Sequence, residues 1–347
     1  MKSAFFFFGM TNFQDMLPPM IDLLKRGEDV WICIFDIVYK KKQFYYYENC
    51  ELTNFMNSIL ANTHIAGNYK MNIYRDEDEK IYKSHYLKNK PEFIFIQDVY
   101  HKYPLWLPDT GKSKLIYFPW GKDGINNLQK SYLDKSNIVL NVLRHKEDEE
   151  HFEQKTGINS IYFGRIWDDY INLSKEITNL TFNKSLNYFK KVCFIPESWI
   201  SDQISGSIIK WNNDNVKIVN DVLDHLKARE YYTIVKKREK GYPFDKENGF
   251  TNYISVKPDM IIEKDLYFPS SLCYLPIISD LTLLIGYKTQ GALELQRYCE
   301  ENYLNFFHCK SIKSLEKKLC KSHKNKLVLN KNNISNKINE YINENLC

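Results

Sequence analysis

Short apolar runs recur along this chain, spaced so that one helix fits between each pair, and this rhythm constrains the fold more than any other feature. In the first half, Ala4–Phe8, Val30–Phe35, Met71–Tyr74, Phe93–Ile96, Leu115–Phe118, Ile138–Val142 and Ser160–Phe163 each read as a buried strand of 4–6 residues. Between the first two, Phe13, Met16, Leu17, Met20, Ile21 and Leu24 recur at helical spacing. Pro18 and Pro19 fit only the first turn of that helix, and Gly27 ends it. This is a βαβ unit, and its repetition predicts a parallel sheet with right-handed crossovers.

The rhythm lapses over residues 165–188, which read as polar and helical. A second series follows: Val192–Ile195, Tyr231–Val235, Met260–Ile262, Leu281–Ile285 and Leu304–Phe307, with Leu327–Leu329 as a further candidate. Val216, Ile218, Val219, Val222, Leu223 and Leu226 make an amphipathic helix, and Ala292, Leu293, Leu295 and Gln296 lead another. At 347 residues the chain suits two domains. The expectation is an α/β fold of two Rossmann-like, doubly wound domains. The N-terminal domain spans 1–165, a helical linker 166–188, the C-terminal domain 189–331 and a closing helix 332–347.

Hydrophobic residues at 44% and charged residues at 26% are those of a soluble globular protein. A net charge of +5 suits phosphate-bearing ligands or an anionic membrane face without requiring nucleic acid. Lys310, Lys313, Lys317, Lys318, Lys321, Lys324 and Lys326 read as a solvated helix face in preference to a lipid-binding surface. The eight cysteines form no CxxC pair, which argues against zinc and for a reducing compartment. The run Phe5–Phe8 is too short for a signal-peptide core, and no stretch of 18 apolar residues occurs. A cytoplasmic protein is expected, with peripheral membrane association left open.

In an open parallel sheet, ligands bind beyond the carboxyl ends of the strands, so the informative residues are those that follow each strand. Gly9, Thr11 and Asn12 follow the first, as an acceptor or phosphate loop or as a plain capped turn. A single glycine there is not a dinucleotide fingerprint, and Asp36 after the second strand is a weak ribose signal without it. Asp98 and His101 follow Phe93–Ile96 and form either a base with its orienting partner or a surface turn. In the second half, Glu197 follows the first strand. Lys236, Lys237 and Arg238 follow the second, where three cations suit a diphosphate.

Gly286-Tyr287-Lys288-Thr289-Gln290-Gly291 then opens a helix carrying Glu294. Small and hydroxyl residues at a helix N-terminus cradle phosphate through free amides, and a carboxylate one turn further in can hold ribose hydroxyls. The alternative is a capped helix with an exposed glutamate. Asp76-Glu77-Asp78 matches the metal-holding Asp-x-Asp in form. It lies in a run, Arg75 to Lys80, that is charged at every position, so a solvated loop is preferred and no metal is expected.

Three segments together resemble GT-B-fold transferases of surface polysaccharide synthesis, the set that includes CDP-glycerol glycerophosphotransferases and capsule-type glycosyltransferases. They are Arg26-Gly27-Glu28-Asp29-Val30, Thr156-Gly157-Ile158 through Phe163-Gly164-Arg165 with Asp168, and Ile278–Glu294. The chain departs from the glycerophosphotransferases in two places. It has Trp120-Gly121 where they carry His-Gly, and Lys236-Lys237-Arg238-Glu239 where they carry Lys-x-His-Pro. Sugar transfer therefore fits better than glycerol phosphate transfer.

The resemblance implies two domains facing across a cleft (GT-B-like), an N-terminal acceptor domain and a C-terminal donor-nucleotide domain, with a nucleotide role for Lys236, Thr289 and Glu294. The resulting expectation is a metal-independent, cofactor-free glycosyltransferase, moving a sugar from a nucleotide-activated donor to a glycan, lipid-linked or other hydroxyl acceptor. Lys236 and Arg238 would hold the diphosphate beside Gly286, Thr289 and Gln290, Glu294 the ribose, and Asp98 or His101 the acceptor's proton. The alternatives are a nucleotide-sugar epimerase of the same double fold and a non-catalytic nucleotide- or sugar-binding protein.

Overall fold

In this computed structural model the structure describes residues 2–8, 13–36, 49–75, 77–97, 111–119, 123–130, 135–178, 191–195, 213–236, 254–256, 279–285, 290–309, 311–319 and 333–347. The chain divides into two compact units, 1–179 with 330–347 and 180–329. Among the described residues, no helix is long and apolar enough to cross a membrane.

The first unit alternates strand and helix: β1 (Lys2–Phe7), α1 (Phe13–Lys25), β2 (Asp29–Asp36), α2 (Asn49–Asn62), β3 (Tyr69–Arg75), α3 (Glu79–Asn89) and β4 (Phe93–Gln97). It continues with β5 (Lys114–Phe118), α4 (Asp123–Lys130), β6 (Ile138–Val142), α5 (Glu149–Thr156), β7 (Ser160–Ile161) and α6 (Ile166–Thr178). The seven strands are parallel in the order β3-β2-β1-β4-β5-β6-β7. Helices on both faces explain why the run Ala4–Phe8, which begins inside β1, is apolar throughout. Ala4, Phe6 and Phe8 join a core with Trp31, Cys33, Phe35, Tyr74 and Tyr82. Phe5, on the opposite face, stacks on Phe95 at 4.2 Å.

The polar ends of two of these rings are satisfied: Trp31 Nε1 donates to Asn72 Oδ1 at 2.9 Å, and the Tyr74 hydroxyl meets His85 Nδ1 at 2.8 Å. Much of the chain's aromatic content thus serves packing.

Two expectations need correction. Pro18 and Pro19 lie in the second turn of α1, which already begins at Phe13. Lacking N–H groups, they leave the carbonyls of Gln14 and Asp15 without in-helix donors. The helix persists because Met16, Leu17, Met20, Leu23 and Leu24 are all buried, so tertiary packing outweighs the local start rule. Residues 166–178, read as linker, form α6, which packs on α1 within the first unit.

The second unit contains β8 (Val192–Ile195), α7 (Asn213–Ala228), β9 (Tyr232–Lys236), β10 (Ile254–Val256), β11 (Leu281–Ile285), α8 (Gln290–Glu301), β12 (Phe306–Cys309) and α9 (Ile312–Leu319). Its strands are parallel in the order β10-β9-β8-β11-β12. The three-residue β10 escaped the apolar pattern, while Met260–Ile262 and Leu327–Leu329 lie outside the described residues. Cys193, Ile195, Val222, Leu226, Leu283 and Leu315 belong to one core. Asp280 fastens the amino ends of its strands: its carboxylate accepts the Val192 N–H at 2.8 Å, and its carbonyl accepts from Asn305 Nδ2 at 3.0 Å. Burial pushes the thiols of Cys33, Cys193 and Cys299 up, so they remain protonated and act as small apolar groups.

The last helix, α10 (Ile334–Asn345), returns to the first unit. Ile334, Ile338 and Ile342 are buried there, and Asn333 caps the helix by accepting the Asn336 N–H at 2.9 Å. Asn339 Nδ2 donates to the Pro19 carbonyl at 3.0 Å and to Asp22 Oδ2 at 2.8 Å, tying α10 to α1.

Candidate functional site

Strand order decides where each sheet can recognise a ligand. In the first sheet the order reverses between β1 and β4, and in the second between β8 and β11. Helix N-termini and connecting loops converge at such switch points, beyond the carboxyl ends of the strands. In the chain, Gly9, Thr11 and Asn12 follow β1, and Asp98 and His101 follow β4; these two strands are the neighbours at the switch point. Glu197 follows β8, and Gly286 and Thr289 follow its neighbour β11, while Arg238 follows β9 on the other side of β8. These residues themselves lie outside the described ones.

Three further candidates are described by their backbone alone. Lys236 is the last residue of β9, Gln290 the first of α8 and Glu294 the fifth, one turn in. The helix expected to open at Thr289–Gln290 is described from Gln290 onward.

At the carboxyl edge of the first sheet, described side chains converge on one carboxylate. Asp15, in the first turn of α1, is 1% exposed. Its Oδ2 accepts from Gln97 Nε2 and from Arg144 Nη2, and from Arg144 Nε at 3.2 Å. Its Oδ1 accepts from Trp167 Nε1 at 3.0 Å. The Arg144 guanidinium also lies over the Trp167 ring, 5.3 Å from its centroid. Gln97 ends β4, Arg144 comes two residues after β6, and Trp167 is the second residue of α6. Next to Trp167, Arg165 Nε and Nη2 reach the fully buried Asp168 Oδ2 at 3.2 and 3.0 Å.

Sequence reading missed Asp15, Arg144 and Trp167. The usable signal was Asp15 itself, one position before Met16 and Leu17 at the buried face of α1, where a carboxylate requires a cation or several donors.

The Asp-x-Asp match has a local role for one of its carboxylates. Asp78 Oδ2 accepts the Arg75 N–H at 2.8 Å and closes the turn between β3 and α3. Asp76 lies outside the described residues, and Glu77 is exposed.

No protein-family model matches the chain, and no curated protein matches it. Among solved structures, it is similar to the crystal structure of a proposed UDP-N-acetylglucosamine 2-epimerase from Listeria monocytogenes. The TM-score is 0.60, at 10% identity, over 99% of this chain and 96% of that one. At that identity the likeness speaks for architecture: the chain has a GT-B-like α/β fold, with one seven-stranded parallel sheet and a second sheet of its own.

Proposed function

We propose that this chain is an enzyme acting on a nucleotide-activated sugar, and that it epimerises the sugar in preference to transferring it. One observation carries the reading. Helix α8 opens at Gln290, shortly after β11 ends at Ile285 beside the β8/β11 switch point, in a fold that resembles a proposed nucleotide-sugar epimerase over its full length. In this reading Lys236 and Arg238 hold the diphosphate with the amides of Gly286 to Gln290, Glu197 lies beside them, and Glu294 takes the ribose hydroxyls. Cations and helix amides offset the charge that develops on the nucleotide, so the reading requires no metal.

Epimerisation needs a group that removes a proton from the sugar and one that returns it on the other face. Asp98 and His101, after β4, are the pair for that work. In transfer, one of them would instead deprotonate an acceptor hydroxyl. Incubation with UDP-N-acetylglucosamine and no acceptor, followed by proton NMR, separates the outcomes. A second nucleotide sugar supports epimerisation. Release of UDP only when a glycan or lipid-linked acceptor is added would assign transfer. Binding without either product would make the chain a non-catalytic nucleotide-sugar binder. A thermal-shift comparison of UDP, GDP, CDP, CMP and dTDP identifies the base, since a ligand of the native state raises its apparent stability.

A further inference from the structure

We infer that Asp15 and Arg144 are positioning residues: their buried pair fixes the carboxyl end of β4, and so the point from which the chain departs toward Asp98, while adding little to stability. The inference rests on the proposed acid–base role of Asp98 and His101.

Energetics separate the two roles. Asp15 is 1% exposed and the Arg144 side chain 8%, so both charges have left water. The cost of that desolvation rivals the attraction regained, and replacing such a pair by apolar groups of similar volume is often neutral or stabilising. What an apolar pair would lack is direction. Asp15 takes hydrogen bonds from three other segments of the first unit: Gln97 on β4, Arg144 after β6 and Trp167 on α6. Arg144 is held in its own plane by the Trp167 ring. Gln97 is fully buried and ends its strand, so locking its amide sets where the backbone leaves the sheet. Asp280, at the amino edge of the second sheet, is different in kind: it bonds a backbone N–H directly and fastens strand to strand.

The test uses the full chain in two variants. Asp15→Leu/Arg144→Met replaces the pair by apolar groups. Arg144→Lys keeps the charge but loses the planar stacking and double donation. The measurements are the urea midpoint, amide hydrogen exchange across the first unit, and kcat and KM with UDP-N-acetylglucosamine. In the double variant the midpoint should fall only modestly, by what Gln97 Nε2 and Trp167 Nε1 lose with the Asp15 acceptor, while exchange at Ile96 and Gln97 rises about tenfold, equivalent to 1.4 kcal/mol of local opening. Turnover should fall at least about tenfold with KM within about twofold, since the nucleotide is held by other residues. Arg144→Lys should lie between wild type and the double variant. Unchanged exchange at Ile96 and Gln97, or a much lower midpoint with a uniform rise across the unit, overturns the inference. A wild type without nucleotide-sugar turnover would instead sink the proposed function, and the exchange comparison would still decide the positioning role.

Discussion

Asp169 on α6 accepts two hydrogen bonds from a single residue of α10: Ser335 donates its backbone N–H at 2.6 Å and its hydroxyl at 2.7 Å. The contact joins positions 166 residues apart and sets a carboxylate at a helix N-terminus, where negative charge is favourable. Burial nevertheless pushes the Asp169 carboxyl above its ordinary range, with Asp168 adding to the rise and the Ser335 bonds opposing it.

That direction fixes a pH dependence. A carboxyl whose pKa rises on folding holds its proton more tightly in the native state than in the unfolded one. Its contribution to stability is therefore greatest at low pH and is lost as pH rises from the ordinary carboxylate range through the folded value. Asp169→Asn keeps an acceptor oxygen for Ser335 but does not titrate. Urea titrations from about pH 4 upward should show a flatter stability profile for the variant. Parallel profiles would mean that Asp169 does not titrate differently on folding.

Removal of residues 333–347 should destabilise the first unit. Burying an isoleucine contributes about 1.5–3 kcal/mol, so Ile334, Ile338 and Ile342 together represent on the order of 5–9 kcal/mol. That is comparable with the whole stability of a typical domain. A milder probe is Asn339→Ala, which loses the bonds to Pro19 and Asp22 and should cost about 1–3 kcal/mol by chemical denaturation. The exposed Lys337→Ala should stay within about 0.5 kcal/mol of wild type. A truncated chain with an unchanged melting profile would show that α10 is dispensable.

Gly164 and Gly157 offer a matched comparison. Both have positive φ, at +130° and +67°. A Cβ at Gly157 meets nothing, whereas one at Gly164 collides with Ile334 Cδ1 of α10. Gly157→Ala should lose only the left-handed backbone cost of about 1–2 kcal/mol. Gly164→Ala must also displace a buried isoleucine and should be clearly the less stable of the two. The reverse ranking in urea would contradict the close approach of Gly164, just ahead of α6, to Ile334 of α10.

Under the proposed function, Glu294→Ala should weaken nucleotide binding by about one to two orders of magnitude. An ionised acceptor on a ribose diol contributes roughly 1.5–3 kcal/mol, and each 1.4 kcal/mol is tenfold. Glu300→Ala, at the far end of α8 and exposed, is the control. Equal affinities for wild type and Glu294→Ala in calorimetry on folded protein would remove the donor-site assignment.

Catalysis should also survive EDTA, because cations and amides do the charge stabilisation in this reading. Complete loss with EDTA, restoration by Mn²⁺ and abolition by Asp76→Ala would move the chemistry to the Asp-x-Asp.

Local pattern alone determined the longer described strands of both units, though not the three-residue β10. A strand buried on both faces must be apolar throughout, as Ala4–Phe8 and Phe93–Ile96 are, and that requirement is written in consecutive residues. The carboxyl ends of the strands were equally readable, since Asp98 and Gly286 directly follow β4 and β11 in the chain. The second-turn prolines of α1 were not, because a helix-start rule sees only neighbours, whereas Met16, Leu17 and Met20 hold that helix through contacts made elsewhere. Nor could any spacing pair Asp15 with Arg144, 129 positions away, or Asn339 with Asp22, 317 away. A buried charge announces that it needs a partner, but which donor arrives is decided only when the strand order β1-β4-β5-β6 brings the ends of those strands to one edge.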